Sequence, residues 1–205
     1  MDECMKLEII RNFKSRNIDV VFFEKLEEVK DRIMELIPVS CTIGIGNSQT
    51  LKEINISKLL MERGSIVFDK TLAESNEESK QIKKRSLLTD WYITGTNAIS
   101  KKGHIVNIDH SGNRVAAMMY GPDNVIIVVG KNKICETLDD AIHRVRDISV
   151  PLNAKRAGYN PPCLKLNKCV DCKTDERVCF NLVIIEGQFV KDRMKLFIVN
   201  EEIGF

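Results

Sequence analysis

Four of the seven cysteines in the chain, Cys163, Cys169, Cys172 and Cys179, fall within residues 163–179 with the spacing C-x5-C-x2-C-x6-C. Even scattering over the whole chain would leave less than one cysteine in a stretch of that length, so the crowding marks chemistry. Thiolates gathered in this way hold zinc in four-coordinate sites or carry an iron–sulfur cluster. The spacing matches neither a zinc ribbon nor the common ferredoxin run, and it does not separate zinc from iron–sulfur. Two other readings stay open: a reversible redox pair of Cys169 and Cys172, and four reduced cysteines packed in an irregular loop. Cys4, Cys41 and Cys135 stand alone, and the last two read as small buried or half-buried side chains.

A second chemistry is carried by three polar loops. Residues 44–50, Gly-Ile-Gly-Asn-Ser-Gln-Thr, run from an apolar stretch into a helix start that Thr50 and Glu53 mark as a capping box. Gly44 and Gly46 permit close backbone approach, and Asn47, Ser48 and Thr50 add side-chain donors. The loop suits an anion, or it is a tight turn before a capped helix. With no lysine in place and no third glycine, it is neither a P-loop nor a dinucleotide fingerprint. Residues 94–99 follow a strand that starts near Asp90 and hold Thr96 and Asn97. Residues 107–114 crowd Asp109, His110, Asn113 and Arg114 at another expected helix start. Polar loops are ordinary, but three of them, each after an expected strand, agree with the end of an α/β sheet where ligands bind. The loops at 44–50 and 109–114 are therefore expected to face one pocket. Arg114 is expected at its mouth, removable without harm to the fold, and Thr96 and Asn97 are expected to orient the ligand. Of the three histidines only His110 lies in such a loop; His143 reads as solvent-facing and His104 as a strand-end packing residue.

The elements that must position these groups alternate between strand and helix. A helix is expected over the first fifteen residues, then a strand at 19–23, a helix at 25–36 and a strand at 39–45. Further strands are expected at 65–68, 91–94, 104–108, 124–129, 182–185 and 196–199, with helices at 77–88 and 114–119. The nearly all-apolar run at 124–129 suits a strand buried on both faces. Leu138, Ala141, Ile142, Val145 and Ile148 form one helical stripe that ends before Pro151, where the composition shifts. This pattern predicts an α/β fold, an open, mostly parallel sheet with helices on both faces and a cysteine-bearing C-terminal extension. One domain over residues 1–205 is expected, with an N-terminal helix in 1–17 and the cysteine-rich segment in 156–181.

Composition excludes several partners. A net charge of +2 calls for neither nucleic acid nor anionic membrane, and Lys83-Lys84-Arg85 reads as a solvated helix face. The apolar runs are too short to cross a bilayer, and Met1-Asp2-Glu3-Cys4 lacks the pattern of a signal peptide, so a cytoplasmic location is expected.

Residues 87–129 resemble the LUD domain, the lactate-utilisation family. The residues that carry the likeness are Asp90, Thr94-Gly95-Thr96-Asn97-Ala98-Ile99, Val106-Asn107-Ile108-Asp109, Gly112-Asn113-Arg114-Val115-Ala116, Tyr120-Gly121-Pro122 and Val128-Val129-Gly130. The turn at 44–50 and the segment with Pro162-Cys163, Cys169-x-x-Cys172 and Arg177-Val178-Cys179 are similar to small stand-alone members. The resemblance implies the fold shared by sugar-phosphate isomerases and CoA transferases (NagB/RpiA/CoA transferase-like). It places Gly95-Thr96-Asn97 where isomerase branches carry Gly-Ala-Asp, so an amide replaces the acid–base carboxylate and Asp-dependent isomerisation is not expected. It implies an accessory or subunit of L-lactate oxidation to pyruvate that binds an anionic small molecule. It also implies iron–sulfur protein subunits as partners, which favours an iron–sulfur cluster over zinc at the cysteines. The alternatives are a non-catalytic module docking on such partners and a stand-alone acyl or phosphosugar enzyme of the same fold.

Overall fold

The computed structural model describes all residues, Met1–Phe205. Six apolar runs form one parallel sheet: β1 (Ile18–Phe23), β2 (Thr42–Ile45), β3 (Ile66–Asp69), β4 (Trp91–Gly95), β7 (Asn124–Gly130) and β10 (Met194–Val199). Their spatial order is β1-β10-β7-β4-β2-β3. The sheet is central because its strands are apolar on both faces. Along β7, Val125, Ile127 and Val129 point to one side while Ile126 and Val128 point to the other, and all five are fully buried.

The chain has nine helices: α1 (Glu3–Lys14), α2 (Leu26–Leu36), α3 (Gln49–Glu53), α4 (Ile56–Glu62), α5 (Asn76–Arg85), α6 (Asn113–Met119), α7 (Leu138–Arg144), α8 (Val150–Arg156) and α9 (Cys163–Leu166). The apolar stripes of α2, α3 and α4 cover the first face through Val29, Ile33, Leu51 and Leu60. On the second face lie α1 and α6, through Ile9, Phe13, Val115 and Met118. The α/β architecture with helices on both faces is as the sequence implied.

A second sheet departs from the expected single one. It is built from β5 (Ala98–Ser100), β6 (Ile105–Asp109), β8 (Ile134–Cys135) and β9 (Asn181–Ile185), in the order β8-β5-β6-β9. Strict alternation explains it. Ile99, Ile105 and Ile185 face the main sheet, while Ala98, Val106 and Ile108 face a third core closed by Ala141, Val145, Val150, Ala154, Cys163 and Val178. The run at 182–185 therefore pairs antiparallel with β6, and only the last run joins the main sheet, between β1 and β7.

Three further expectations need correction. The strand expected from residue 39 begins at Thr42, where the Asp90 carboxylate accepts from the Thr42 amide and hydroxyl, both at 2.7 Å. The capping box at Thr50 and Glu53 does not form. Ser48 is the residue before α3, and the Thr50 hydroxyl is buried inside the first turn with no hydrogen-bond partner. The stripe expected from Leu138 to Ile148 is broken at its last member, while the helical run itself continues through Pro151. Residues Val145–Ser149 widen into a π turn, and α8 follows with Pro151 near its start, leaving Ile148 exposed. A proline lacks an N–H and its ring collides with the carbonyl four residues back, and a locally wider turn relieves both.

The connections set the place of the site. The chain leaves β2 over the first face, through α3 and α4, and leaves β4 over the second, through β5, β6 and α6. β2 and β4 are neighbours, so their carboxyl ends diverge and leave a crevice. Gly44 of β2 lets β4 and its neighbours close up beneath it. A Cβ on Gly44 would lie 2.8 Å from Tyr92 Cδ2 and 3.0 Å from Ser86 Cβ. Gly44→Ala is expected to lower stability by about 1–3 kcal/mol, read as a shift in the urea midpoint with an unchanged slope; an unshifted midpoint would mean that Tyr92 has room to move.

Candidate functional site

A cavity of about 330 Å³ opens in that crevice, between the ends of β2, β4 and β6 and the C-terminal end of α8. Asn47, Ser48, Thr96, Asn97, Asp109, Asn113 and Arg114 all line it, so the structure brings the three polar loops together. Gly44, Gly46 and Thr50 do not line it. Gly46 is glycine for packing, since a Cβ there would lie 2.7 Å from Thr94 Cβ and 3.0 Å from the Tyr92 hydroxyl. Thr50 is shut off by Gly204, where a Cβ would lie 2.8 Å from Thr50 Oγ1 and 3.0 Å from Lys133 Nζ.

Arg114 is not a loose cation at the mouth. Its side chain is 12 % exposed. The guanidinium donates to Gly95 O at 3.0 Å, Asn107 Oδ1 at 2.6 Å, Asn97 Oδ1 at 3.2 Å and Ile108 O at 3.3 Å. It also pairs with Asp109 at 3.5 Å. Asn107, fully buried, accepts from Thr96 Oγ1 at 3.1 Å and from the Asn97 amide at 3.2 Å as well. The Asp109 carboxylate also receives the amide of Arg114 at 3.1 Å, at the start of α6. Arg114, Asn107, Thr96 and the Asn97 side-chain oxygen thus form the pocket's floor, their hydrogen bonds directed at one another. The expectation that Thr96 orients a ligand fails for the same reason, because its hydroxyl is consumed inside the floor.

The free charge lies elsewhere. Lys70, Lys83, Lys133 and Arg156 line the cavity together with Arg114, against Asp109 as the sole carboxylate side chain. Of these five cations only Arg114 enters an ion pair. Lys133 is the most unusual. It is 3 % exposed, and its ammonium donates to Thr96 O at 3.3 Å. Burial, reinforced by the Arg144 and Arg114 charges, lowers its pKa to about 8. Burial likewise depresses Lys70, with Lys83 adding to the effect. The sequence reading missed these cations. Lys133 was within reach, since it follows β7 as the other loops follow their strands; Lys70, Lys83 and Arg156 come from three elements that only the fold brings together.

His110 lines the cavity too, stacked on Phe180 and edge-on to Tyr159, each with ring centroids 5.5 Å apart. His143 is exposed, and His104 sits at its strand end with Nδ1 2.8 Å from Ser100 Oγ, as expected of both.

The LUD domain model matches residues 7–199, nearly the whole chain. The chain belongs to the LUD domain family. A DUF162 family protein from Deinococcus radiodurans has a similar structure over 95 % of this chain and 96 % of its own, with a TM-score of 0.54 at 14 % identity. Ribose 5-phosphate isomerase A from Neisseria gonorrhoeae is similar over 55 % of this chain and 54 % of its own, with a TM-score of 0.35 at 17 % identity. The corresponding isomerase from Methanocaldococcus jannaschii is similar over 65 % and 66 %, with a TM-score of 0.38 at 14 % identity. No curated protein sequence matches the chain. No helix of this LUD domain is long and apolar enough to cross a membrane.

The cysteines form a separate feature of the LUD domain. Cys163, Cys169, Cys172 and Cys179 all line one small, mostly apolar cavity, and Ile108 belongs to the walls of both this cavity and the cationic pocket. All four are free thiols. Burial pushes the Cys163 and Cys179 thiols up, and the neighbouring cysteines add to the shift. No three His, Cys, Asp or Glu side chains are arranged to hold a single metal ion.

Two substitutions should move stability in opposite directions. Arg114→Ala removes the ion-pair partner of Asp109 and the guanidinium that donates to four acceptors of the floor, so it is expected to cost about 3–5 kcal/mol in urea denaturation, contrary to a harmless mouth residue. Lys133→Met should stabilise the unliganded LUD domain at pH 7, by about 1–3 kcal/mol. The sign follows from a folded pKa below the unfolded one: wild type carries the penalty in full below about pH 8, and regains stability as pH rises from there toward 10.5. The advantage of the variant should therefore shrink over that window. A variant less stable at pH 7, or a difference that does not change with pH, would contradict the assignment of an unpaired buried charge.

Proposed function

We propose that this LUD domain serves lactate utilisation by binding a small carboxylate or phosphate in the cationic pocket, as an accessory or subunit beside L-lactate oxidation to pyruvate. The observation that carries the reading is the unbalanced charge: four cations without ion-pair partners converge on one cavity at a sheet switch point. A buried ammonium without a counterion is costly, and an anionic ligand is the partner that offsets it. Asn47 Oδ1 is buried without a partner and lines the same cavity, which suits the hydroxyl of a hydroxy acid. The floor supports binding more readily than proton transfer by a carboxylate, since Asp109 is held by Arg114 and Asn97 is an amide.

A second reading is a docking module for iron–sulfur subunits. Exposed Leu166, Val170 and Phe180 beside the cysteines favour it. Lactate oxidation appearing only when such a subunit is added, and lost on Val170→Asp and Phe180→Asp, would support docking; turnover by the isolated chain would favour an enzyme.

Calorimetric titration with L-lactate, pyruvate and inorganic phosphate at low ionic strength tests the pocket. At least one should bind at pH 7, and Lys133→Met should weaken it by about tenfold or more, the worth of one charged hydrogen bond. In wild type the affinity should fall as pH rises through about 8, as the ammonium loses its proton. Absence of binding by all three, or equal affinity in Lys133→Met, would overturn the proposal.

A further inference from the structure

Given an anion in the cationic pocket, on which this inference rests, we propose that the ligand is a phosphorylated hydroxy acid. Its carboxylate sits in an inner subsite at Lys133 and its phosphate in an outer subsite at Lys70, Lys83 and Arg156. The cavity is too large for a single small anion. Liquid water takes about 30 Å³ per molecule, so about 330 Å³ has room for about ten, and a molecule of lactate's size leaves most of it empty. The charge is also too large. A lone carboxylate offsets one ammonium, whereas four lining cations stand outside any ion pair. A carboxylate and a phosphate on one molecule bring about three negative charges.

The cations fall into two groups on opposite sides of the crevice. Lys133 lies in the turn after β7 and Lys70 directly follows β3, with β4 and β2 between them in the sheet. At about 4.8 Å per strand spacing, these two strand ends stand about 14 Å apart. Burial is the main cause that depresses each lysine. After it, Lys133 feels Arg144 and Arg114, while Lys70 feels Lys83, Arg156 and Arg114. Only Arg114, in the floor between them, is common to both. An anion seated at one lysine therefore leaves the other unserved. The two ends also differ in wetness. Lys133 is buried, whereas Lys70 and Lys83 are half-buried and Arg156 is exposed. The dry inner end suits a compact carboxylate, and three cations at the wetter end suit the three oxygens of a phosphate. Between them, past the end of β2, Asn47 Oδ1 is buried without a partner and can accept from a ligand hydroxyl. Ile108, Ala157 and Phe205 are the only apolar residues of the wall, and Ser48, Asn113 and Asn153 line the same space. The carbon chain that joins the two anionic groups is accordingly hydroxylated.

Calorimetric titration of the full chain at pH 7 and about 0.15 M salt compares three probes: D-glycerate, inorganic phosphate and 3-phospho-D-glycerate, a 2-hydroxy acid with a phosphate on its third carbon. Joining the two groups makes the second contact intramolecular, so 3-phosphoglycerate should bind at least about tenfold more tightly than either half. Lys70→Met and Arg156→Met should each shrink its advantage over glycerate by about fivefold or more, and Lys133→Met should weaken both ligands. Arg156 is exposed at the end of α8, so Arg156→Met decides the matter if Lys70→Met does not fold. Binding of phosphate or glycerate with 3-phosphoglycerate no tighter than the better of them would overturn the two-subsite proposal and leave anion binding in place. An advantage over glycerate that survives both outer substitutions would do the same. Absence of binding by all three probes would overturn the anion reading as well.

Discussion

Arg114 is the constraint on which the site depends. Between β4 and β5 the chain steps out of one sheet and into another at Thr96 and Asn97, and such a step orphans backbone carbonyls that neither ladder can satisfy. Arg114 reaches back from α6 to Gly95 O, at the end of the main sheet, and to Ile108 O, in the second. Asn107, pointing between the sheets, gathers the amide of Asn97, the hydroxyl of Thr96 and the guanidinium onto one oxygen. From the other side Arg144 donates to Asn97 O at 2.7 Å and to Asn132 O at 3.0 Å. Two guanidiniums thus hold one crossover from both sides. The floor of the pocket is built before any ligand arrives, and its rigidity follows from the need to satisfy polar groups in a dry place.

That arrangement explains the charge above it. Arg114 and Arg144 serve chain carbonyls and amides, with Asp109 the only carboxylate near them, so the floor retains positive charge. Lys133 is buried where both guanidiniums lower its pKa, and its proton is held at a penalty that the Glu53 charge offsets only in part. A sequence optimised for stability alone would place methionine or leucine there. A buried charge only partly relieved inside a cavity is the mark of a site completed by its ligand.

The architecture was legible because it rests on periodicity. The five apolar residues of β7 and the apolar runs of β1 and β10 leave one solution, a parallel sheet covered on both faces. The second sheet was less legible, because β5 and β8 are only three and two residues long. The convergence of the polar loops was also readable, since each follows a strand and the carboxyl edge collects them. The roles inside the pocket were not. Whether Arg114 faces a ligand or binds the floor depends on where Asn107 and Gly95 O end up, which local sequence does not encode. Gly44 and Gly46 resembled a phosphate-binding turn because glycine reports close approach without saying by what; here the approaching groups are Tyr92 and Thr94.

Pro151 lies inside the helical run, and its consequence joins the two sites. The π turn it imposes rotates Val145–Ser149 relative to the helix on either side. Within six residues the chain presents Arg144 and Ser149 to Asn97 O, at the cationic pocket, and Arg146 and Asp147 to Cys169, at the cysteine cavity. A regular helix repeats its faces every three to four residues and would offer these four side chains in a different pairing. Beyond the turn, α8 sends Val150 to the cysteine cavity and Asn153 and Arg156 to the pocket, while Ile108 stands in the wall of each. The cysteine segment and Asn97 are therefore tied to one π turn, through Arg146 and Asp147 on one side and Arg144 and Ser149 on the other.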